Sequence, residues 1–250
     1  MTRCTHRHLL VVGAQRCGTT YLATALDGHP DVAMARPSRP EPKVFNDAAL
    51  AARGLEHYHR TWFSHAGDSV LLTDKSTSYL EDPVAPRRAA DMLGEVDVVV
   101  LLRDPVRRAV SHWRFSTDHG LETRPLEQAL LADLEERERP WDPATSSVSP
   151  FTYVRRGRYA DQLGPWTSTF PDTVRVLFLE ELLADPGALP RLVADLGLDP
   201  GRTPSPATRP VNASGGDPPV LSASLRGTLQ EGFRESNERL ADMLGRSLPW

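Results

Sequence analysis

The stretch His8-Leu9-Leu10-Val11-Val12-Gly13-Ala14-Gln15-Arg16-Cys17-Gly18-Thr19-Thr20 decides the fold. His8 to Val12 make a short apolar run that Gly13 stops. Thr19 to Leu26 then place apolar residues at helical spacing until Gly28-His29-Pro30 breaks the pattern. The order is strand, loop, helix. Glycines at 13 and 18 let the backbone curl so that its N–H groups point inward at an anion beside the helix N-terminus. The spacing is G-x-x-x-x-G, yet Thr19 stands where a loop that binds hydrolysable nucleoside triphosphates has a lysine. That lysine reaches the terminal phosphates. With Arg16 inside the loop instead, the cradle suits a shorter 5′ group and has no need of magnesium. An ordinary glycine-rich turn is the alternative reading of this loop taken alone.

Further along, Val70 to Thr73 is a second brief apolar run, followed by a helix predicted over Pro83 to Leu93. Val96 to Leu102 is apolar except at Asp97, as expected of a strand buried on both faces and central in a sheet. Asp104 and Pro105 then supply a helix start, carboxylate N-cap and first-turn proline, for a helix to about Thr117. Helices are also predicted over Leu126 to Arg139, Tyr159 to Phe170, Ala188 to Leu196 and Ser222 to Leu244, with a strand over Val174 to Leu179. Residues 199 to 219 are loop. The change of character over 119 to 150, ending in a Pro/Ser/Thr-rich segment, is that of a lid. Alternating strands and helices predict a three-layer, P-loop-like α/β fold with a central, mainly parallel sheet flanked by helices. One domain over residues 1–250 is expected at this length.

Composition narrows the function. With 40% apolar residues and a net charge of −4 the chain carries no global basic field, which argues against nucleic acid as a partner. Two cysteines, Cys4 and Cys17, make no disulfide framework, and no signal-peptide pattern opens the sequence, so a reducing cytoplasm is expected. No apolar stretch approaches the ~18–20 residues of a membrane helix. The oligomeric state is not legible. Of 29 basic residues only Lys43 and Lys75 are lysines, which suggests positions where a compact point charge is wanted. His57-x-His59 resembles a metal pair, but residues two apart on a helix do not face each other and nothing nearby completes a site, so no metal is expected.

A second segment, Arg103-Asp104-Pro105-Val106-Arg107-Arg108-Ala109-Val110-Ser111, begins where the strand over 96–102 ends, at the sheet edge where open α/β folds bind ligands. Arg103 and Ser111 suit a second phosphate. Taken singly, Arg103 also suits a carboxylate partner and Ser111 a close helix contact. Together, G-x-x-[RK]-x-G-T-T and R-D-P-x-x-R-A-x-S, in this order, resemble the sulfotransferases that use 3′-phosphoadenosine-5′-phosphosulfate (PAPS). The resemblance extends to the heparan-sulfate N- and 3-O-sulfotransferase group through Glu41-Pro42-Lys43-Val44-Phe45, Asp74-Lys75-Ser76-Thr77-Ser78-Tyr79, Gly157-Arg158-Tyr159 and Asn237-Glu238-Arg239-Leu240.

The resemblance implies that Gly13, Gln15, Arg16, Cys17, Gly18, Thr19 and Thr20 hold the 5′-phosphosulfate, that Arg103 and Ser111 hold the 3′-phosphate, and that PAP (3′-phosphoadenosine-5′-phosphate) is the product. Sulfuryl transfer is an in-line displacement needing a base for the acceptor and cations for the leaving oxygen. Arg16 is placed to steady that oxygen, at a position where the family usually has lysine. The resemblance makes Glu41 the base, although Val44 replaces the first phenylalanine of the family's E-x-x-F-F segment. It also makes Lys75 a contact to the sulfuryl group or acceptor, a salt bridge to Asp74 or Glu81 being the alternative. The basic C-terminal loop of the family is poorly matched by Val211 to Gly216, and Arg209 is its substitute. The acceptor, a hydroxyl or amine on a small molecule or glycan, is expected to meet a pocket near Phe45, Tyr79 and residues 119–150. A P-loop kinase of a small hydroxyl compound and a non-catalytic nucleotide-binding relative are the competing classes.

Overall fold

A computed structural model describes residues 6–137, 139–142, 148–203 and 219–250. Arg209, and part of the segment read as a lid, lie outside the described residues.

The elements follow one another as β1 (Arg7–Gly13), α1 (Thr19–Asp27), β2 (Val32–Met34), α2 (Ala48–Ala51), α3 (Gly54–Trp62), β3 (Leu71–Lys75), α4 (Ala85–Leu93), β4 (Asp97–Leu102), α5 (Pro105–Asp118), α6 (Leu126–Leu134), α7 (Tyr159–Thr169), β5 (Val174–Phe178), α8 (Leu179–Ala184), α9 (Ala188–Asp195) and α10 (Ala223–Leu244). The strands pair in parallel in the order β2-β3-β1-β4-β5. This is the P-loop-like α/β architecture that the alternation of elements predicts. β1, rather than the strand over 96–102, is the middle strand, and β4 lies between β1 and β5.

The chain divides into two compact units, residues 1–102 with 162–211, and residues 103–161 with 212–250. The first holds the whole sheet. Leu9, Leu10, Val11 and Val12 are all fully buried, although successive residues of a strand point to opposite faces, so both faces of the sheet are covered. Leu9, Val11, Val99 and Leu101 share one core with Leu22 and Leu26 of α1 and Leu189 and Leu192 of α9. Asp97, the polar exception in β4, lies at the strand's amino end. There Arg7 of β1 and Arg175 of β5, on the two neighbouring strands, each approach its carboxylate to 2.7 Å.

The second unit is helical. Asp104 caps α5 by accepting from the N–H groups of Val106 (2.8 Å) and Arg107 (3.3 Å), with Pro105 in the first turn as the sequence predicts. Val106, Ala109 and Val110 of α5 pack with Leu130 of α6 and Leu229 and Phe233 of α10. A polar tie joins the loops: Glu122, whose side chain is fully buried, accepts from Arg124, Arg139 (2.7 Å) and the Tyr153 hydroxyl (2.9 Å). Burial works to raise its carboxyl, but these hydrogen bonds outweigh it and hold the group at about 2.

Candidate active site

The loop after β1 is built by its two glycines. A Cβ on Gly13 would lie 2.8 Å from Leu80 Cβ and 3.3 Å from the Thr77 carbonyl oxygen, so only glycine lets β1 end this close to the turn after β3. Gly18 has φ of 88° and stands at the N-cap of α1, where a Cβ would meet Leu179 at 2.6 Å. No side chain caps this helix and its first turn holds no acid, a setting in which a helix N-terminus favours an anion. Arg16, at φ 68°, also takes the left-handed conformation, and the Ala14 N–H donates to Leu101 O of β4 at 2.8 Å. Cys17 and Thr19 are buried; Gln15, Arg16 and Thr20 are half-buried.

Beside this loop, at the carboxyl ends of β1 and β3, a carboxylate and an ammonium meet. Glu41 Oε1 accepts from Lys75 Nζ at 2.5 Å, and Oε2 accepts from the Thr77 N–H at 2.9 Å and the Thr77 hydroxyl at 3.1 Å. Their side chains are 17% and 12% exposed, respectively, so the pair is sheltered yet reachable. Thr77 is thus the link: its carbonyl lies against Gly13 and its N–H and hydroxyl orient Glu41. A cleft of about 140 Å³ opens between α1 and the segment after β2, and its lining includes Thr20, Arg39, Pro42 and Lys75.

Under this pair lies a second carboxylate. Asp74 is fully buried and accepts from Ser76 Oγ (2.8 Å), the Tyr79 hydroxyl (2.8 Å) and the Tyr58 hydroxyl of α3 (3.1 Å). Burial foremost, with Glu41 adding to it and the three hydroxyls opposing it, raises its carboxyl to about 6.

In the second unit Arg103 directly follows the last residue of β4, and its carbonyl accepts from the Tyr159 hydroxyl at 2.8 Å. Ser111 lies on α5, half-buried, eight residues on.

Residues 6–192 match the model of the sulfotransferase domain. The chain belongs to the sulfotransferase family. It is similar to human heparan sulfate glucosamine 3-O-sulfotransferase 6, with 31% identity covering 96% of this chain and 72% of the relative. The mouse counterpart is 34% identical over 76% of this chain and 52% of its own length. A bifunctional heparan sulfate N-deacetylase/N-sulfotransferase 1 of Caenorhabditis briggsae is 26% identical over 71% of this chain, which spans only 21% of that relative. Among solved structures, a sulfotransferase from Alicyclobacillus acidocaldarius superposes with a TM-score of 0.78 at 23% identity, over 98% of both chains. The sulfotransferase domain of the Synechococcus PCC 7002 olefin synthase gives 0.55 at 17% identity, over 98% of this chain and 96% of that one.

In this sulfotransferase the first unit brings together Gly13 to Thr20, Glu41 and Lys75, while Arg103 and Ser111 belong to the second unit and Arg209 lies outside the described residues. The partner of Lys75 is Glu41, neither Asp74 nor Glu81. Glu41 is not a bare surface acid in a proline-rich loop, since three donor groups hold it. Phe45 and Tyr79 are fully buried and their rings meet at a tilt of 50°, with centroids 5.3 Å apart. Both are core residues. Among the described residues no group of three or more His, Cys, Asp or Glu side chains forms a metal site, and His59 instead meets His8 of β1 through their Nε2 atoms at 2.8 Å. No described helix is long and apolar enough to cross a membrane. Sequence reasoning missed Thr77 and Asp74 as site residues, although both stand in the quoted segment that contains Lys75.

Proposed function

We propose that this chain transfers a sulfuryl group from PAPS to a hydroxyl or amine of a glycan or small-molecule acceptor, with Glu41 as the base. The observation that carries the reading is the Glu41–Lys75–Thr77 constellation beside an uncapped phosphate loop. A carboxylate fixed by Thr77 faces a cation that can receive negative charge, and this is the pairing an in-line sulfuryl transfer asks for.

In the proposed step the acceptor O–H or N–H gives its proton to Glu41 as its heteroatom bonds to sulfur. The bond from sulfur to the 5′-phosphate oxygen breaks, and PAP leaves with that electron pair. Arg16 and the N–H groups of Gly18 to Thr20 stabilise the leaving oxygen, and Gly13, Gln15 and Cys17 complete the loop around the 5′ group. Lys75 steadies the transferring sulfuryl oxygens and orients Glu41. Arg103 and Ser111 are assigned to the 3′-phosphate on their motif, and Arg209 is retained as a further contact on the same ground. The missing lysine after Gly18 favours PAPS over a nucleoside triphosphate, and no step here requires a metal. Acceptor entry through the cleft at Thr20 and Lys75 fits the position of Glu41, and heparan-type glycans enter as candidates because the relatives named above act on them. The two-cysteine composition favours a reducing compartment.

Calorimetric titration with PAP tests the donor assignment. Wild-type protein is expected to bind PAP in the presence of a chelator. Arg103→Ala should weaken binding about 10- to 100-fold, the scale of a hydrogen bond to a charged group at ~1.5–3 kcal/mol, and Ser111→Ala by less. Variants that bind PAP like wild type would remove Arg103 and Ser111 from the site. ATP turnover with magnesium and no PAP binding would replace the reading with a kinase.

A further inference from the structure

Glu41 sits on a segment with little regular structure, between β2 and the single 3₁₀ turn Val44–Asn46, so something else must hold it in place. Two hydroxyl relays do so, and both start from one buried carboxylate. Ser76 Oγ donates to Asp74 Oδ1 (2.8 Å) and accepts from the Lys43 N–H (3.0 Å). The Tyr79 hydroxyl donates to Asp74 Oδ2 (2.8 Å) and accepts from the Phe45 N–H (3.4 Å). A backbone N–H can only donate, so each hydroxyl must turn its hydrogen toward Asp74 and its lone pair toward the loop. An acceptor-only carboxylate is what imposes that polarity on both relays at once.

We propose that Asp74 is a positioning residue for the transfer reaction: it sets the direction of the Ser76 and Tyr79 relays and thereby holds the backbone of residues 43–45, and Glu41 with it, against Thr77 and Lys75. The inference rests on the reading of Glu41 as the base. Its logic is directional. An asparagine at 74 fills the same space, but its amide donates at one of the two positions. Ser76 at one position, or Tyr79 and Tyr58 at the other, would then face an added donor and lose the acceptor at residue 74, and Ser76 and Tyr79 would be left only each other's oxygen, so one relay loses its imposed direction. The charged and titratable groups around Asp74 agree with this role. Tyr58 from α3 and Ser76 and Tyr79 from the turn after β3 donate to it, Glu41 is a nearby carboxylate, and Lys75, next in the chain, is paired with Glu41.

The test is hydrogen exchange at the Lys43 and Phe45 amides together with steady-state kinetics, in wild type, Asp74→Asn, Ser76→Ala and Tyr79→Phe. Ser76→Ala is expected to cost Lys43 its protection by tenfold or more, Tyr79→Phe to do the same at Phe45, and Asp74→Asn to do so at one or both, with β1 amides unchanged in all three. For Asp74→Asn, kcat should fall about 10- to 100-fold while KM for PAPS and PAP affinity stay within about twofold of wild type, a split that general unfolding does not give. Should Asp74→Asn misfold, the two single-relay variants carry the test, each with the smaller kcat loss. Unchanged protection at both amides, or lost protection with unchanged kcat, overturns the proposal. A wild type that binds no PAP and transfers no sulfuryl group overturns the reading beneath it instead, and hydrogen exchange still judges the relays.

Discussion

Gly18 shows how much a single residue does in this molecule. Its φ of 88° belongs to a region that costs an L-residue about 1–2 kcal/mol, and a Cβ there would push the Leu179 side chain aside. Gly18→Ala is therefore expected to destabilise the protein by about 2–3 kcal/mol, measured by urea unfolding, and to weaken PAP binding by displacing the N–H groups at the start of α1. Equal stability and equal affinity would mean that the loop tolerates another path. Gly13, Gly18 and the absent lysine were legible in the sequence because their demands are local. The Glu41–Lys75 bond was not, because it joins residues 34 apart through the return of the chain from β2 to β3. Periodicity carries no record of such a meeting. The family resemblance named both residues without saying that they touch.

At the scale of elements, the strands that register as continuous apolar runs, β1 and β4, were readable, as was α5 with its Asp104 cap. β2 was not read, being only three residues long, and α3 was seen only as the helical stretch around His57 and His59, its one buried residue being Tyr58. α3 nonetheless fixes the site from below, through Tyr58 to Asp74, and is tied to β1 by His8 and His59. One of these two rings must donate and the other accept, so the bond fails when both are protonated. Burial foremost, then His59 and His6, push His8 from 6.5 down to about 4. A histidine held below its unfolded value contributes stability that is present above about pH 6.5 and lost as the pH falls through about 4. His8→Gln, which keeps one donor and one acceptor but cannot titrate, is expected to flatten the loss of stability between those limits, read from denaturant midpoints at pH 7, 5 and 4. Parallel curves for the variant and wild type would place the acid sensitivity elsewhere. Asp74, raised to about 6 from 3.8, acts with the opposite sign over nearly the same window, so the difference between variant and wild type is the quantity to compare.

Across the whole molecule, sequence and structure agree where the chain must repeat itself: a parallel sheet fed by alternating helices, with the glycine loop between the first strand and the first helix. They part in the irregular segments, such as the one that carries Glu41, where there is no period to read. Lys75, one of two lysines among 29 basic residues, stands out in the sequence and is paired with Glu41 in the structure. The central claim, PAPS-dependent transfer with Glu41 as base, is tested most directly by incubating wild type and Glu41→Gln with radiolabelled PAPS and a panel of glycan, alcohol and amine acceptors. The account predicts label on an acceptor with wild type, a rate about 10² to 10⁴ lower with Glu41→Gln, and unchanged PAP affinity. Equal transfer rates for the two proteins would contradict it.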